Sequence, residues 1–218
     1  MGATDNEVEE KELDDLLNRL KRGEQQALAE LFARYREQLR RMIDVRLDHR
    51  LNGRVSPSDV LQEAYIDALK RVDHYFAKPE MPFFLWLRWV AGQRLIEVHR
   101  QHLGAQMRAA GQEISLTYGG TPAASSACLA ARLVQNLTSP SEAVVRAERF
   151  SMLEDALAQM DPMDREVLTL RHFEEMSNTE TAMVLGIQPA AASKRYVRAL
   201  HRLKEILTQI PGFLDETP

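Results

Sequence analysis

The sequence predicts an all-α protein made of two small helical domains joined by a flexible linker. Three observations carry this reading. Apolar residues recur at three- and four-residue steps along most of the chain, the period of a helix with one buried face. Capping residues and helix-starting prolines recur ahead of these stripes, and no segment alternates as a strand does. One internal stretch, residues 104–138, abandons the pattern for Gly, Ala, Ser and Thr. The 218 residues suffice for one large domain or two small ones.

Residues 1–11 read as an acidic tail. A first helix follows on Leu13, Leu16, Leu17 and Leu20, and Gly23 breaks it. Ala27, Leu28, Leu31, Phe32, Tyr35, Leu39 and Met42 form the stripe of a second helix. Asn52-Gly53 marks a turn. Ser56-Pro57 starts a third helix, because Ser56 caps free backbone N–H groups and Pro57 sits where no N–H is needed. Residues 74–82 hold two prolines and read as a loop. A fourth helix runs from Phe83 to about Gln101, and the first domain closes near residue 105.

The linker is placed at 106–138, with one short helix near Ala127–Leu137. Ser139-Pro140-Ser141-Glu142 is a capping box that opens the second domain, 139–210. Its first helix runs through Phe150, Leu153, Leu157 and Met160, and Asp161-Pro162 starts the next. Ser177-Asn178-Thr179-Glu180 is a further capping box. The helix behind it ends at Leu185-Gly186-Ile187, and Pro189 opens a last helix to about Ile210. Residues 211–218 read as a tail.

Charge and composition exclude several classes. No apolar run approaches the ~20 residues of a membrane span. The acidic N-terminus is unlike a signal peptide, and Cys128 is the only cysteine, so a cytoplasmic location is expected. The net charge is −4, but it is unevenly spread: residues 5–15 carry seven acids and one lysine. Residues 193–204 carry Lys194, Arg195, Arg198, Arg202 and Lys204 and no acid. A local basic face, not the average, governs contact with phosphates. His99 and His102 lack a carboxylate or cysteine at ligand spacing, and there is no Walker loop, nucleotide fingerprint or nucleophile elbow. Neither catalysis nor a cofactor nor a metal is expected.

Three patterns carry function. Residues 177–204 have the layout of a helix-turn-helix, with a glycine suited to the positive φ of its turn. In the last helix Tyr196, Leu200, Leu203 and Leu207 define a packing face, and Arg195, Arg198 and Arg202 another; Ser193 and Lys194 stand near its start. A solvated basic face is the plainer alternative, but this spacing favours entry into a major groove. The second pattern is Phe83, Phe84, Trp86 and Trp89 followed by Gln93, Arg94, His99 and Arg100. Rings stack on bases and cations meet phosphates, which suits single-stranded DNA. Trp86 itself reads as core. The third is Asp59, Gln62 and Glu63 on one helix face: a solvated acidic surface by default, or a docking face for a basic partner helix.

Taken in order, these segments resemble the extracytoplasmic-function (group 4) sigma factors of the sigma-70 superfamily, from about residue 12 to residue 207. Glu24–Met42 and Ser58-Asp59-Val60-Leu61-Gln62-Glu63-Ala64-Tyr65 look like sigma domain 2. Phe83-Phe84-Leu85-Trp86-Leu87 and the helix after it look like the element that melts and reads the −10 promoter region. Residues 160–168, Met-Asp-Pro-Met-Asp-Arg-Glu-Val-Leu, and the helix-turn-helix behind them look like sigma domain 4, which reads the −35 region. The resemblance implies a subunit of bacterial RNA polymerase that docks on the β′ coiled coil through Asp59, Gln62 and Glu63 and on the β flap. It implies −10 contacts from Trp89, Gln93, Arg94, His99 and Arg100, and −35 contacts from Ser193, Lys194, Arg195, Arg198 and Arg202. An anti-sigma factor is a further partner type. Gln93 stands where the family often has asparagine, and Pro189-Ala190-Ala191-Ala192 opens the reading helix with small apolar residues.

Two other readings compete. A stand-alone regulator explains the helix-turn-helix but leaves the Asp59–Glu63 face and the aromatic-then-basic helix without a purpose; it predicts a dimer. A helical adaptor predicts no sequence-specific DNA contact.

Overall fold

The computed structural model describes residues 2–109, 120–135 and 143–210, which hold nine α-helices and no strand. The capping box at 139–142 and the tail 211–218 lie outside the described residues.

Helix α1 spans Gly2–Lys21 and α2 Gln25–Arg46. The helix begins earlier than expected: residues 2–11, read as a tail, are its first turns. Acidic residues suit the positive end of a helix dipole. Arg34 of α2 also donates to the Glu9 carbonyl at 3.3 Å and lies 3.9 Å from the Glu12 carboxylate. Helix α3, Pro57–Ala77, starts as expected: the Ser56 hydroxyl accepts from the Asp59 N–H and the Asp59 carboxylate from the Ser56 N–H. Helix α4, Phe83–Ala109, continues eight residues past Gln101. These four helices bury Leu28, Leu31, Leu39 and Ile43 of α2, Val60, Leu61 and Ala64 of α3, and Leu87, Val90 and Leu95 of α4. Each fully enclosed leucine contributes about 1.5–3 kcal/mol. Phe83 and Trp86 are buried in a ring cluster with Tyr75, at centroid distances of 5.1 to 5.4 Å.

Helix α5, Ser126–Gln135, is the short helix expected in the linker, and it packs on α2 and on α6, Ala143–Ala158. Helix α7, Pro162–Leu168, is capped by Asp161, whose carboxylate accepts from the Met163 N–H at 2.8 Å. It runs into a π-helical turn, Thr169–Phe173, whose closing bond joins the Glu174 N–H to the Thr169 carbonyl. Helices α8, Asn178–Leu185, and α9, Pro189–Gln209, complete the second half.

The two halves are joined by buried charge. Arg46 at the end of α2 donates from Nη2 to Glu166 at 2.6 Å and from Nε to Glu174 at 2.8 Å. Its Nη1 donates to the Pro122 carbonyl at 2.5 Å. Arg88 of α4 donates from Nε to the other oxygen of Glu174 at 2.7 Å. Glu166 also accepts from the Ala124 N–H at 3.1 Å. All four side chains are enclosed. Two guanidinium groups and two carboxylates balance in charge, and the hydrogen bonds satisfy most of their polar atoms, as burial of ions demands. Burial alone would lower the Arg46 pKa, but the carboxylates of Glu166 and Glu174 more than reverse this. Burial likewise pushes Glu174 up, and Arg46 and Arg88 bring it below its ordinary value.

The linker was expected to be flexible. Of its described residues, 106–109 continue α4, and 120–135 are docked: Thr121, Pro122 and Ala124 are buried, as are Leu129, Ala130 and Val134 of α5. Its small residues allow this. Gly120 has φ +70°, and a Cβ there would come 2.5 Å from the Trp89 ring; a Cβ on Gly92 of α4 would come 2.3 Å from the Thr121 methyl.

Candidate nucleic-acid interface

The helix-turn-helix is built as its sequence requires. Ser177 and Glu180 form the reciprocal capping box that starts α8. Gly186 ends it in the left-handed region, φ 64°. Asn178 then donates to the Pro189 carbonyl at 2.9 Å, tying the start of α8 to the start of α9. Helix α9 buries Ala192, Ala199 and Ile206, with Tyr196, Leu203 and Leu207 half-buried beside them. The inward stripe is therefore rotated slightly from the expected one, and Leu200 is exposed. Alanine at 192 and 199 lets the helix sit close to its neighbours, which moves the contact line off Leu200.

Opposite that stripe, Ser193, Lys194, Arg198 and Arg202 are exposed. Arg195 is half-buried and turned back onto the domain, donating to Asp164 at 2.7 Å and to Asp161 at 3.3 Å. Arg202 donates to Glu205 at 3.1 Å, one turn along. The exposed cations thus form a stripe along one side of α9.

On α4 the expected residues fall into three environments. Arg100 is exposed. Trp89 is half-buried, with the Arg71 guanidinium 5.8 Å from its ring centre, and Gln93 donates to the Gly120 carbonyl at 2.6 Å. Arg94 is paired with Glu63 and, at 2.7 Å, with Glu97. His99 is 6% exposed, and its Nε2 accepts from the Asp48 N–H at 3.3 Å. Burial lowers the His99 pKa, with Asp48 opposing and Arg50 assisting. Its ring is not presented to a ligand in this arrangement. Helical spacing placed His99 with Arg100, but only the packing of the Asp48 turn beneath α4 shows which of the two faces in.

The α3 face is also divided. Asp59 is exposed but occupied by its capping bonds, which hold its pKa below the usual carboxylate range through the Ser56 N–H and hydroxyl. Glu63 is engaged with Arg94. Gln62 is exposed, and one turn further along Ile66 is 50% exposed, an apolar side chain that sequence patterning did not single out.

Among the described residues no group of His, Cys, Asp and Glu is arranged to hold a metal ion, and no helix is long and apolar enough to cross a membrane.

Comparison with known proteins places the chain in a family. A family model described as ECF sigma factor matches residues 10–208. The ECF RNA polymerase sigma factor BldN of Streptomyces coelicolor is 25% identical over 193 residues, which cover 88% of this chain and 65% of BldN, just under two thirds of that protein's length. The ECF RNA polymerase sigma factor SigW of Bacillus subtilis is 24% identical over 195 residues, 89% of this chain and 96% of SigW. Among solved structures, a chain of the structure of CnrH in complex with the cytosolic domain of CnrY aligns with a TM-score of 0.50 at 20% identity, covering 88% of this chain and 95% of that chain. That last likeness is one of fold.

Proposed function

The chain belongs to the ECF sigma factor family, and on that premise we propose that it binds the core of bacterial RNA polymerase in the cytoplasm and directs it to promoters without catalysing a reaction itself. The observation that carries the reading is the basic, capped helix-turn-helix, on the same chain as a helix that combines a half-buried ring, Trp89, with an exposed cation, Arg100.

In this reading Ser193, Lys194, Arg198 and Arg202 enter the major groove of the −35 duplex. Arg195 steadies the start of α9 and reaches the DNA when Asp161 and Asp164 release it. Each good bidentate contact to a base contributes about 1–3 kcal/mol of discrimination. At the −10 element Arg100 and Arg94 meet phosphates, while Trp89 and Gln93 take unstacked bases of the non-template strand. Unstacking costs a few kcal/mol, which stacking on a ring offsets. His99 serves from beneath by fixing the Asp48 turn. Gln62 and Ile66, flanked by Asp59 and Glu63, dock on the β′ coiled coil, and the second half meets the β flap. The net charge of −4 keeps the free protein from random duplex, so the polymerase supplies most of the affinity.

The reading is tested by gel filtration with sigma-free core polymerase. Co-elution supports it. A stable dimer that binds duplex DNA alone and ignores several cores overturns it in favour of a stand-alone regulator.

A further inference from the structure

We propose that Arg71 of α3, which lies outside the set assigned to DNA above, closes over Trp89 to make a two-sided stacking site for one unstacked base of single-stranded DNA. The proposal deepens the −10 assignment of α4 and rests on it.

Trp86 and Trp89 stand about one helical turn apart on α4 but have different surroundings. Trp86 is buried, with Tyr75 and Phe83 at 5.1 and 5.3 Å between ring centres. Trp89 is half-buried and has no aromatic neighbour of this kind among the described residues. Gly120 backs its edge, where a Cβ would come 2.5 Å from Cδ1 and from Nε1. The group over the ring is the Arg71 guanidinium, 5.8 Å from its centre. The indole is thus held at its edge, and its face is left to a cation.

A second cation lies over a ring in the same molecule and behaves differently. Arg171 is 5.3 Å from the centre of the Tyr196 ring, half-buried, and donates to the Met176 carbonyl at 2.5 Å. Its guanidinium is anchored, so that pair serves to pack α9. Arg71 is exposed and has no hydrogen bond or ion pair among the described residues. Its neighbour Lys70 has a carboxylate, Asp67, at 3.6 Å. Arg71 is left with the ring alone, on a stem that can swing.

A base stacked on one ring leaves its other face to water. A guanidinium plane can cover that face, because it stacks on bases as an aromatic ring does, and its charge also meets a neighbouring phosphate. A base between two planes needs about 6.8 Å, twice the spacing of about 3.4 Å between stacked bases. From 5.8 Å the guanidinium has to withdraw by about 1 Å, which an unanchored arginine does by side-chain rotation alone. One cation–π contact is exchanged for two stacking contacts. Helices α3 and α4 already pack together, so neither has to move. A lysine at the same place would supply the charge but not the plane.

The test uses the full chain bound to core polymerase and, as probe, short single-stranded DNA of random sequence, from which the strands retained by holoenzyme over core alone are taken forward. Arg71→Lys and Arg71→Ala should each weaken binding of those strands by about tenfold. Arg71→Lys should keep the wild-type slope of log affinity against log salt, while Arg71→Ala should flatten it by about 0.7, the share of one phosphate contact. Arg71→Ala should add little to Trp89→Ala, because the two side chains act as one site. Thermal stability and core affinity should not change in either Arg71 variant. Wild-type affinity in Arg71→Lys overturns the stacking site and leaves a plain phosphate contact. Impaired Trp89→Ala beside unaffected Arg71 variants overturns it too, with the −10 assignment intact. If Trp89→Ala is also without effect, or wild-type holoenzyme retains no strand over core alone, the −10 assignment of α4 fails and the stacking site falls with it.

Discussion

Arg46 and Glu166 stand 120 positions apart in the sequence, yet their side chains meet at 2.6 Å with essentially no surface left to water. Neither would be enclosed without the other, because an uncompensated ion in an apolar seam costs several kcal/mol. The pair therefore makes the folding of one half sensitive to the presence of the other.

Arg46→Ala should uncouple the halves. Removing one member of a buried ionic set typically costs about 3–5 kcal/mol. Trp86 and Trp89 report the first half only, while circular dichroism reports all helices. Urea transitions by the two probes should coincide in wild type and separate in Arg46→Ala. Coincident transitions in the variant would show that the seam contributes little.

His99 should make the first half sensitive to mild acid. Its folded pKa lies below the unfolded value of about 6.5, so the unfolded chain takes up the proton first. The contribution is fully present above about pH 6.5 and is lost as pH falls towards the folded value. Glu174 behaves in the same direction in a lower window, below the unfolded value of about 4.3. Thermal unfolding between pH 7.5 and 5.5 should show a loss that His99→Gln reduces. Equal pH slopes in the two proteins would contradict the account.

Most of the architecture was legible because it is written locally. Ser56-Pro57, Asp161-Pro162 and Ser177–Glu180 are helix starts whose chemistry is complete within four residues, and each does what its spacing implies. The docking of residues 120–124 was not legible because small residues signal either slack chain or close contact, and only Gly92 and Trp89 across the gap decide between them. The buried ionic set was invisible for a related reason. Arg46, Arg88, Glu166 and Glu174 each sit in helical segments rich in charge, where a solvated face is the default reading. No periodicity distinguishes a charge that pairs with solvent from one that pairs 120 or 128 residues away. The same limit separated Arg195, turned inward, from Arg198, left exposed.

Gln62→Arg should weaken polymerase binding more cleanly than reversal at Asp59. Asp59→Lys also removes a capping bond, which costs about 0.5–2 kcal/mol of helix stability. Gln62 is exposed and carries no such duty. A loss of about tenfold in core affinity, about 1.4 kcal/mol, is expected with thermal stability unchanged. Unaltered affinity would remove α3 from the docking surface.

Arg198→Ala should reduce promoter use by about 1–3 kcal/mol of lost recognition while leaving core binding intact. Arg195→Ala should lower stability as well, by up to about 1 kcal/mol, through loss of its partly exposed pairs with Asp161 and Asp164. Competition binding of holoenzyme to promoter fragments measures the first effect and thermal unfolding the second. Loss of core affinity in Arg198→Ala with the fold preserved would contradict the division of labour between α3 and α9.

The most direct test of the central claim is transcription by sigma-free bacterial core polymerase from a genomic fragment library, with and without this protein, followed by mapping of transcript starts. The account predicts discrete start sites that depend on the protein and share two short sequence elements at fixed separation. Starts that are unchanged when the protein is omitted would contradict it.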